Sequence, residues 1–270
     1  MFPTTLPMAA PDSRPPILQP NSQPNSQPIA QPITRVGAGP AGPRAASPAP
    51  GGQVHTALSS LSPSLLQDLL RFDQDKPQRE LLEVLAAGVR HTQPLAIGLA
   101  WNRHALTLSM FPTQRLVHCP MAMADFLAGD LESLQVRQVQ PATLHPPGSA
   151  ELARIGNPAL YAPLGPLLWA VALRGSRETL LPELAGQAAY RVAPGLTLGG
   201  LVVPDAMAAC ISRLQRQTSN LREIASWHQI GMPRAIRLLN ALYLQSGLIV
   251  SRSHPAATIE GWTGYDEQRG

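Results

Sequence analysis

Six arginines and one asparagine in the C-terminal part of the chain have the clearest capacity for molecular recognition. They are Arg213, Arg216, Arg222, Arg234, Arg237, Asn240 and Arg252. Between residues 205 and 254 only Asp205 and Glu223 oppose them. Arginine pairs with phosphates, carboxylates and guanine, and asparagine pairs with adenine. These seven residues are therefore the predicted surface for a protein partner or for DNA.

A glycine-rich string is the second candidate for binding chemistry. Residues 36–42 read VGAGPAG, which places Gly37, Gly39 and Gly42 at the G-x-G-x-x-G spacing of dinucleotide-binding proteins. Such a loop binds pyrophosphate only where it follows a buried strand and opens a helix. Pro43 and Pro48 rule out a continuing helix here. The sequence therefore predicts no bound cofactor.

Histidine and acidic side chains offer no arrangement for catalysis. His104 and His118 stand alone in a predicted turn and a predicted strand, without a neighbour to position either as a base. Glu80 and Glu83 lie on one predicted helix and are expected to face solvent. We predict no catalytic site, no metal site and no enzymatic activity.

Composition and charge narrow the class of protein. The net charge is +4 and the isoelectric point is about 9.6, which permits nucleic-acid binding without requiring it. Cys119 and Cys210 are far apart and are predicted to be buried, reduced thiols. No stretch reaches the about 18 apolar residues of a membrane span, and no signal peptide is recognised. We therefore predict a cytoplasmic protein without a membrane partner.

The first 53 residues differ in composition from the rest of the chain. They are rich in Pro, Ser and Gln, and residues 19–28 repeat the unit QPNS. A segment with so few large apolar side chains cannot bury enough surface to offset the entropy of ordering. We predict a disordered tail over residues 1–53, and a spacer, a tether and a secretion leader all stay open as its role.

Alternating helical and strand patterns follow in residues 54–150. Ser62-Pro63 is typical of a helix start, and a second helix is predicted behind a cap box formed by Asp75 and Gln78. Period-two patterns predict strands at 95–101, 106–110, 115–119 and 134–139, with a short helix near 122–127 that Gly129 closes. These elements predict an α+β domain with a small antiparallel sheet and helices, which loosely resembles the roadblock and longin folds.

Residues 151–203 are predicted to be a connector. LGPLLWAVAL at 164–173 is apolar on nearly all sides, which predicts a buried helix. Two short strands are expected at 190–192 and 196–198, with a turn at Pro194-Gly195 between them.

Three helices and a strand are predicted within residues 204–260. The helices cover about 205–216, 221–227 and 232–246, with a tight turn at 228–231. Gly247 is expected to end the third helix in the left-handed conformation, and a strand is expected from Leu248. This order predicts a C-terminal winged helix-turn-helix, in which Arg234, Arg237 and Asn240 line the exposed face of the recognition helix.

The same segment resembles a known family. An APG turn, a capped L-x-E-I-A helix and the pattern A-x-x-L-L-x-A-L-x-x-x-G-L-I resemble the winged-helix segment of the PatA-type N-terminal domain of bacterial response-regulator and motility-signalling proteins. The resemblance covers the C-terminal part only, and the N-terminal half shows no receiver-domain acidic cluster. It implies that the winged helix is an interaction element.

Two functions follow from these predictions. The first is a non-enzymatic bacterial adaptor in signalling or surface motility, which binds a protein partner such as a small GTPase or a motility regulator. The alternative is a DNA-binding transcriptional regulator that uses the winged helix-turn-helix. A homodimer is compatible with both functions.

Overall fold

Short helices and strands alternate through residues 61–75, 80–101 and 104–260, which are the residues that the computed structural model describes. The predicted tail at 1–53 and the glycine motif at 36–42 lie outside them. Within them the fold is α+β, with one five-stranded antiparallel sheet, a second three-stranded sheet and several helices.

Two helices precede the larger sheet. Helix α1 spans Pro63–Asp75, and the carbonyl of Ser62 accepts a hydrogen bond from the Leu66 amide at 2.9 Å, as the Ser-Pro start predicted. Helix α2 spans Leu81–Arg90 and begins after Glu80. The predicted N-cap at Asp75 was wrong, because Asp75 is the last residue of α1 and the N-cap of α2 is Glu80. Gln78 lies outside the described residues.

The larger sheet has the strand order β4-β1-β2-β3-β5, and every pair is antiparallel. Its strands are β1 (Leu95–Trp101), β2 (His104–Phe111), β3 (Leu116–His118), β4 (Gln135–Pro141) and β5 (Tyr161–Pro163). Helix α3 spans Met123–Ala128 between β3 and β4. The large residues of β1, Leu95, Ile97 and Leu99, are buried as their alternation predicted. Helix α2 lies on this face, since a Cβ added at Gly88 would sit 3.0 Å from the Leu95 side chain.

A buried helix links the two halves of the described chain. Helix α4 spans Leu164–Arg174, as its all-round apolar pattern predicted, and it contacts α2 and the last helix, α7 (Met232–Leu244). Helices α4 and α7 run antiparallel. The Gln245 amide donates to the Gly165 carbonyl at 2.9 Å at one end, and Arg237 donates to the Leu173 carbonyl at the other.

The smaller sheet has the strand order β7-β6-β8. Its elements, in chain order with the helices between them, are β6 (Gly186–Val192), α5 (Asp205–Leu214), α6 (Leu221–Ser226), a 3-10 turn at Trp227–Gln229, α7, β7 (Leu248–Ser251) and β8 (Thr258–Glu260). Asn220 caps α6 by accepting from the Glu223 amide at 2.9 Å. Strands β7 and β8 do not pair with each other, because β6 lies between them.

Two local predictions were wrong. Residues 196–198 form no strand, although the Pro194-Gly195 turn is present, with Gly195 at φ +81°. The left-handed residue after α7 is Ser246 (φ 57°) and not Gly247. Gly247 is needed for close packing instead, since a Cβ there would lie 2.5 Å from a methyl carbon of Leu196.

One cluster of buried apolar side chains runs through these elements. It includes Leu69 of α1, Ile97 of β1, Leu168 of α4, Cys210 of α5 and Leu239 of α7. Whether residues 54–150, 151–203 and 204–260 form separate domains stays a prediction. In the described part of the chain, no helix combines the length and the apolar character that crossing a bilayer requires.

Candidate functional site

Five of the six predicted surface arginines have exposed side chains, and Arg237 is the exception. Arg213 lies at the end of α5 and Arg216 just after it, Arg222 lies at the start of α6, and Arg234 lies in the first turn of α7. The guanidinium of Arg213 stacks over the ring of Trp227, 4.2 Å from its centroid. This cation–π contact holds Arg213 in a defined position between α5 and the turn that precedes α7.

The prediction that Asn240 lies on an exposed face was wrong. Asn240 is fully buried. Its side-chain oxygen accepts from the Leu181 amide at 2.9 Å, and its side-chain nitrogen donates to the Thr179 carbonyl at 3.0 Å. The amide of Asn240 therefore fastens α7 to the segment after α4 and is not available to a base.

Arg237 is also committed to an internal contact. It is half-buried, and its Nη1 donates to the Leu173 carbonyl at 2.9 Å, at the C-terminal end of α4. The last carbonyls of a helix have no partner within the helix, and they carry the negative end of its dipole. Arg237 satisfies one of them with a charged donor.

Arg252 is exposed but bonded to the backbone. It donates to the carbonyls of Glu183, Ala185 and Gln187 at 2.6, 2.6 and 2.9 Å. Strand β7 pairs with residues 189–192 of β6. The three carbonyls that Arg252 bonds precede these residues in the chain, so the guanidinium bonds the backbone beyond the end of β7. The side chain thus replaces strand contacts that β7 is too short to make.

A largely apolar cavity of about 700 Å³ lies between α3, α4, residues 200–204 and the beginnings of α5 and α7. Trp169 forms one wall, and its indole Nε1 donates to the Val202 carbonyl at 3.0 Å. Leu173 and Met207 add apolar surface. Three arginines also line the cavity: Arg174, Arg234 and Arg237. Apart from the apolar character of α4, no sequence pattern indicates this site, because its walls come from four segments that are distant along the chain.

A buried ionic cluster shows that the prediction of solvent-facing Glu80 and Glu83 was wrong. Glu83 is buried and Glu80 is half-buried, although both were expected to face solvent. Arg177, only 6 % exposed, donates to Glu80 at 2.9 Å and also contacts Glu83. The same guanidinium donates to the carbonyls of Thr179 at 2.9 Å and Leu180 at 2.7 Å. The cluster joins the start of α2 to the segment after α4, to which Asn240 also bonds.

One histidine-centred group has the residue types of a catalytic triad. His145 Nδ1 lies 3.1 Å from Ser149 Oγ, and Nε2 lies 3.9 Å from the Glu151 carboxylate. The Glu151 contact is longer than a hydrogen bond. The three residues lie in a turn that a bridge between His145 and Ile155 closes. This geometry holds the loop together. Among the described residues, no group of three or more His, Cys, Asp or Glu could hold a metal ion.

Cys119 and Cys210 are buried and free, as the sequence predicted. Burial raises the pKa of both thiols, which keeps them protonated and unreactive.

His118 gives the fold a pH dependence. It is 9 % exposed in β3, its ring meets Tyr161 edge-on at 4.9 Å, and burial lowers its pKa below the ordinary value of 6.5. As the pH falls below about 6.5, the unfolded chain takes up a proton that the folded chain resists, so folding stability decreases. We expect His118→Gln to weaken this loss, measured as the change in the urea midpoint between about pH 7.5 and about pH 5.5.

The matched control for this titration is His104→Gln, because the His104 side chain is exposed in β2. It is expected to leave the wild-type pH dependence in place. An equal loss of stability in wild type and in His118→Gln would show that His118 does not cause it.

Three comparisons with known proteins returned no match for this chain, neither to a family, nor to a curated protein, nor to a solved structure.

Proposed function

We propose that the chain is a non-enzymatic regulatory adaptor of the bacterial cytoplasm, which binds an acidic surface of a protein partner through its C-terminal helices. The observation that carries the proposal is the burial of α7. Seven of its side chains are buried: Ala235, Leu238, Leu239, Asn240, Ala241, Leu242 and Leu244. A recognition helix must instead present a face to the major groove.

Exposure along α7 is confined to its first turn. Met232, Pro233 and Arg234 are exposed, whereas Ile236 and Arg237 are half-buried. The C-terminal part of the helix packs against α4, which would occupy the space that DNA needs. This burial favours a protein partner that contacts α5, α6 and the first turn of α7. It disfavours DNA binding in which the whole of α7 lies in the major groove.

The order of elements is compatible with the proposed PatA-type winged helix. Helix α5 is followed by a bridge between Ser219 and Tyr190, then by α6, a tight turn, α7 and strand β7. The separation of β7 from β8 departs from a simple wing, in which these strands form a hairpin. Without such a hairpin the segment lacks a wing of the kind that contacts phosphates, and this favours the proposed interaction role.

Charge determines the kind of partner. Among the described residues from 205 to 254, the exposed cations include Arg213, Arg216 and Arg222, and the acidic residues are Asp205 and Glu223. A positive patch attracts a negative one and accelerates encounter. We propose a partner with an acidic face, such as a small GTPase or a motility regulator. The antiparallel sheet is a second surface for a partner or a second copy of the chain.

The test is site-specific photocrosslinking in cells that express the full chain. A crosslinker at the exposed Ser212 on α5 is expected to give one protein adduct, and Arg213→Glu with Arg216→Glu is expected to abolish it. A crosslinker at Glu132, exposed after α3, is the control position and should give no such adduct.

Duplex DNA tests the alternative directly. Fluorescence anisotropy of the full chain with random duplex is expected to show no binding whose affinity falls steeply with salt. Micromolar binding with a steep salt slope, abolished by the same two charge reversals, would replace the adaptor with a DNA-binding regulator.

A further inference from the structure

The cavity beside Trp169 combines an apolar interior with positive charge. Most of its lining side chains are apolar, and they include Leu127, Leu173 and Leu201. Among the described residues that line it, none is acidic, whereas three are arginines. An apolar wall selects an apolar ligand body, and guanidinium groups without a neighbouring carboxylate select an anion.

Two of the arginines are held in place by other helices. Arg174 donates to the Leu127 carbonyl at the end of α3, and Arg237 donates to the Leu173 carbonyl at the end of α4. Each contact fixes a guanidinium at the cavity and leaves further N–H groups on it. Because these donors are already in position, the arginine side chains lose little conformational entropy when a ligand binds. The site is therefore preorganised.

Two guanidinium groups at one end of the cavity have donors that a ligand can reach. Arg234 is exposed at the start of α7 and lines the cavity. Arg237 is half-buried and also lines it, although its Nε is buried away from the cavity surface. These two positive charges favour a ligand with an anionic oxygen at this end of the cavity.

We propose that this cavity binds a small amphipathic carboxylate, with its acid group at Arg234 and Arg237 and its aliphatic chain against Trp169. The planar guanidinium matches the geometry of a carboxylate. A volume of about 700 Å³ suits a ligand of drug-like size. This site shares Arg234 with the proposed partner surface, but its other walls come from α3, α4 and residues 200–204, so the proposal does not rest on the adaptor function.

Isothermal titration of the full chain with sodium decanoate tests the site. We expect binding of one decanoate per chain with a Kd in the range of about 10 to 100 µM. Decylamine has the same chain length with the opposite charge and is expected to bind at least about tenfold more weakly. Comparing decanoate with decylamine distinguishes recognition of the negative charge from simple apolar adsorption.

Variants locate the binding. Arg234→Glu is expected to weaken decanoate about tenfold or more, whereas Arg216→Glu, an exposed arginine outside the cavity, should leave the affinity unchanged. Ala170→Phe is expected to narrow the cavity and weaken decanoate binding, because Ala170 lines it. Thermal unfolding of each variant confirms that it is folded, and Arg234, being exposed, provides the test if Ala170→Phe does not fold.

The proposal would be overturned by any of three results. These are no heat of binding up to about 1 mM decanoate, equal affinity for decylamine, or equal weakening by Arg234→Glu and Arg216→Glu. Unchanged affinity in folded Ala170→Phe would place the ligand elsewhere on the protein.

Discussion

Replacing Arg177 with methionine is expected to destabilise the fold by about 3–5 kcal/mol, the usual cost of removing one partner from a buried ion pair. The guanidinium is 6 % exposed and bonds to two carboxylates and two backbone carbonyls. Methionine fills similar space but leaves Glu80 and Glu83 without this positive charge. Urea unfolding at neutral pH measures the loss, with an unchanged m-value as the sign that the native state stays compact.

The carboxylates provide an internal control. If the loss comes from uncompensated charge, then Arg177→Met combined with Glu80→Gln and Glu83→Gln should be more stable than Arg177→Met alone. Arg177→Lys is a milder variant for the case in which the methionine variant does not fold, because lysine keeps the charge but cannot form the same fork of bonds. A loss below about 1 kcal/mol in Arg177→Met would contradict the role of the cluster.

Local patterns explain why much of the fold could be predicted from the sequence. The apolar period of two in β1 and β2, the Ser62-Pro63 helix start and the apolar run of α4 all appear in the structure. Each depends on residues that are neighbours along the chain. Their spacing alone therefore carries the information.

The arginines and Asn240 show what such local patterns cannot predict. The spacing of Arg234, Arg237 and Asn240 places them near one side of α7, but spacing does not say which side another element covers. Helix α4, more than 60 residues earlier, covers that side and accepts the Arg237 hydrogen bond. The same holds for Glu83, whose partner Arg177 is 94 residues away. Long-range packing decides these positions, and no single-sequence pattern encodes it.

Burial of Asn240 also changes what a substitution there is expected to do. Asn240→Ala removes the acceptor of the Leu181 amide and the donor to the Thr179 carbonyl, both within the protein interior. The Leu181 amide is then left without a partner, whereas the Thr179 carbonyl still accepts from Arg177 at 2.9 Å. One buried polar group without a partner costs about 1–3 kcal/mol, and this is the expected loss. Urea unfolding measures this loss. Hydrogen exchange at the Leu181 amide gives a local readout, because that N–H should lose its protection first.

The matched control is Arg234→Ala, in the exposed first turn of the same helix, which is expected to change stability by no more than about 0.5 kcal/mol. This comparison also separates the two functions. A base-reading asparagine would be exposed, so its replacement would leave stability intact and weaken DNA binding alone. Substantial destabilisation of Asn240→Ala, together with faster exchange at Leu181, would instead show that α7 is fastened into the core. A helix held in this way presents only its first turn to a partner, and Arg234 is then its contribution to recognition.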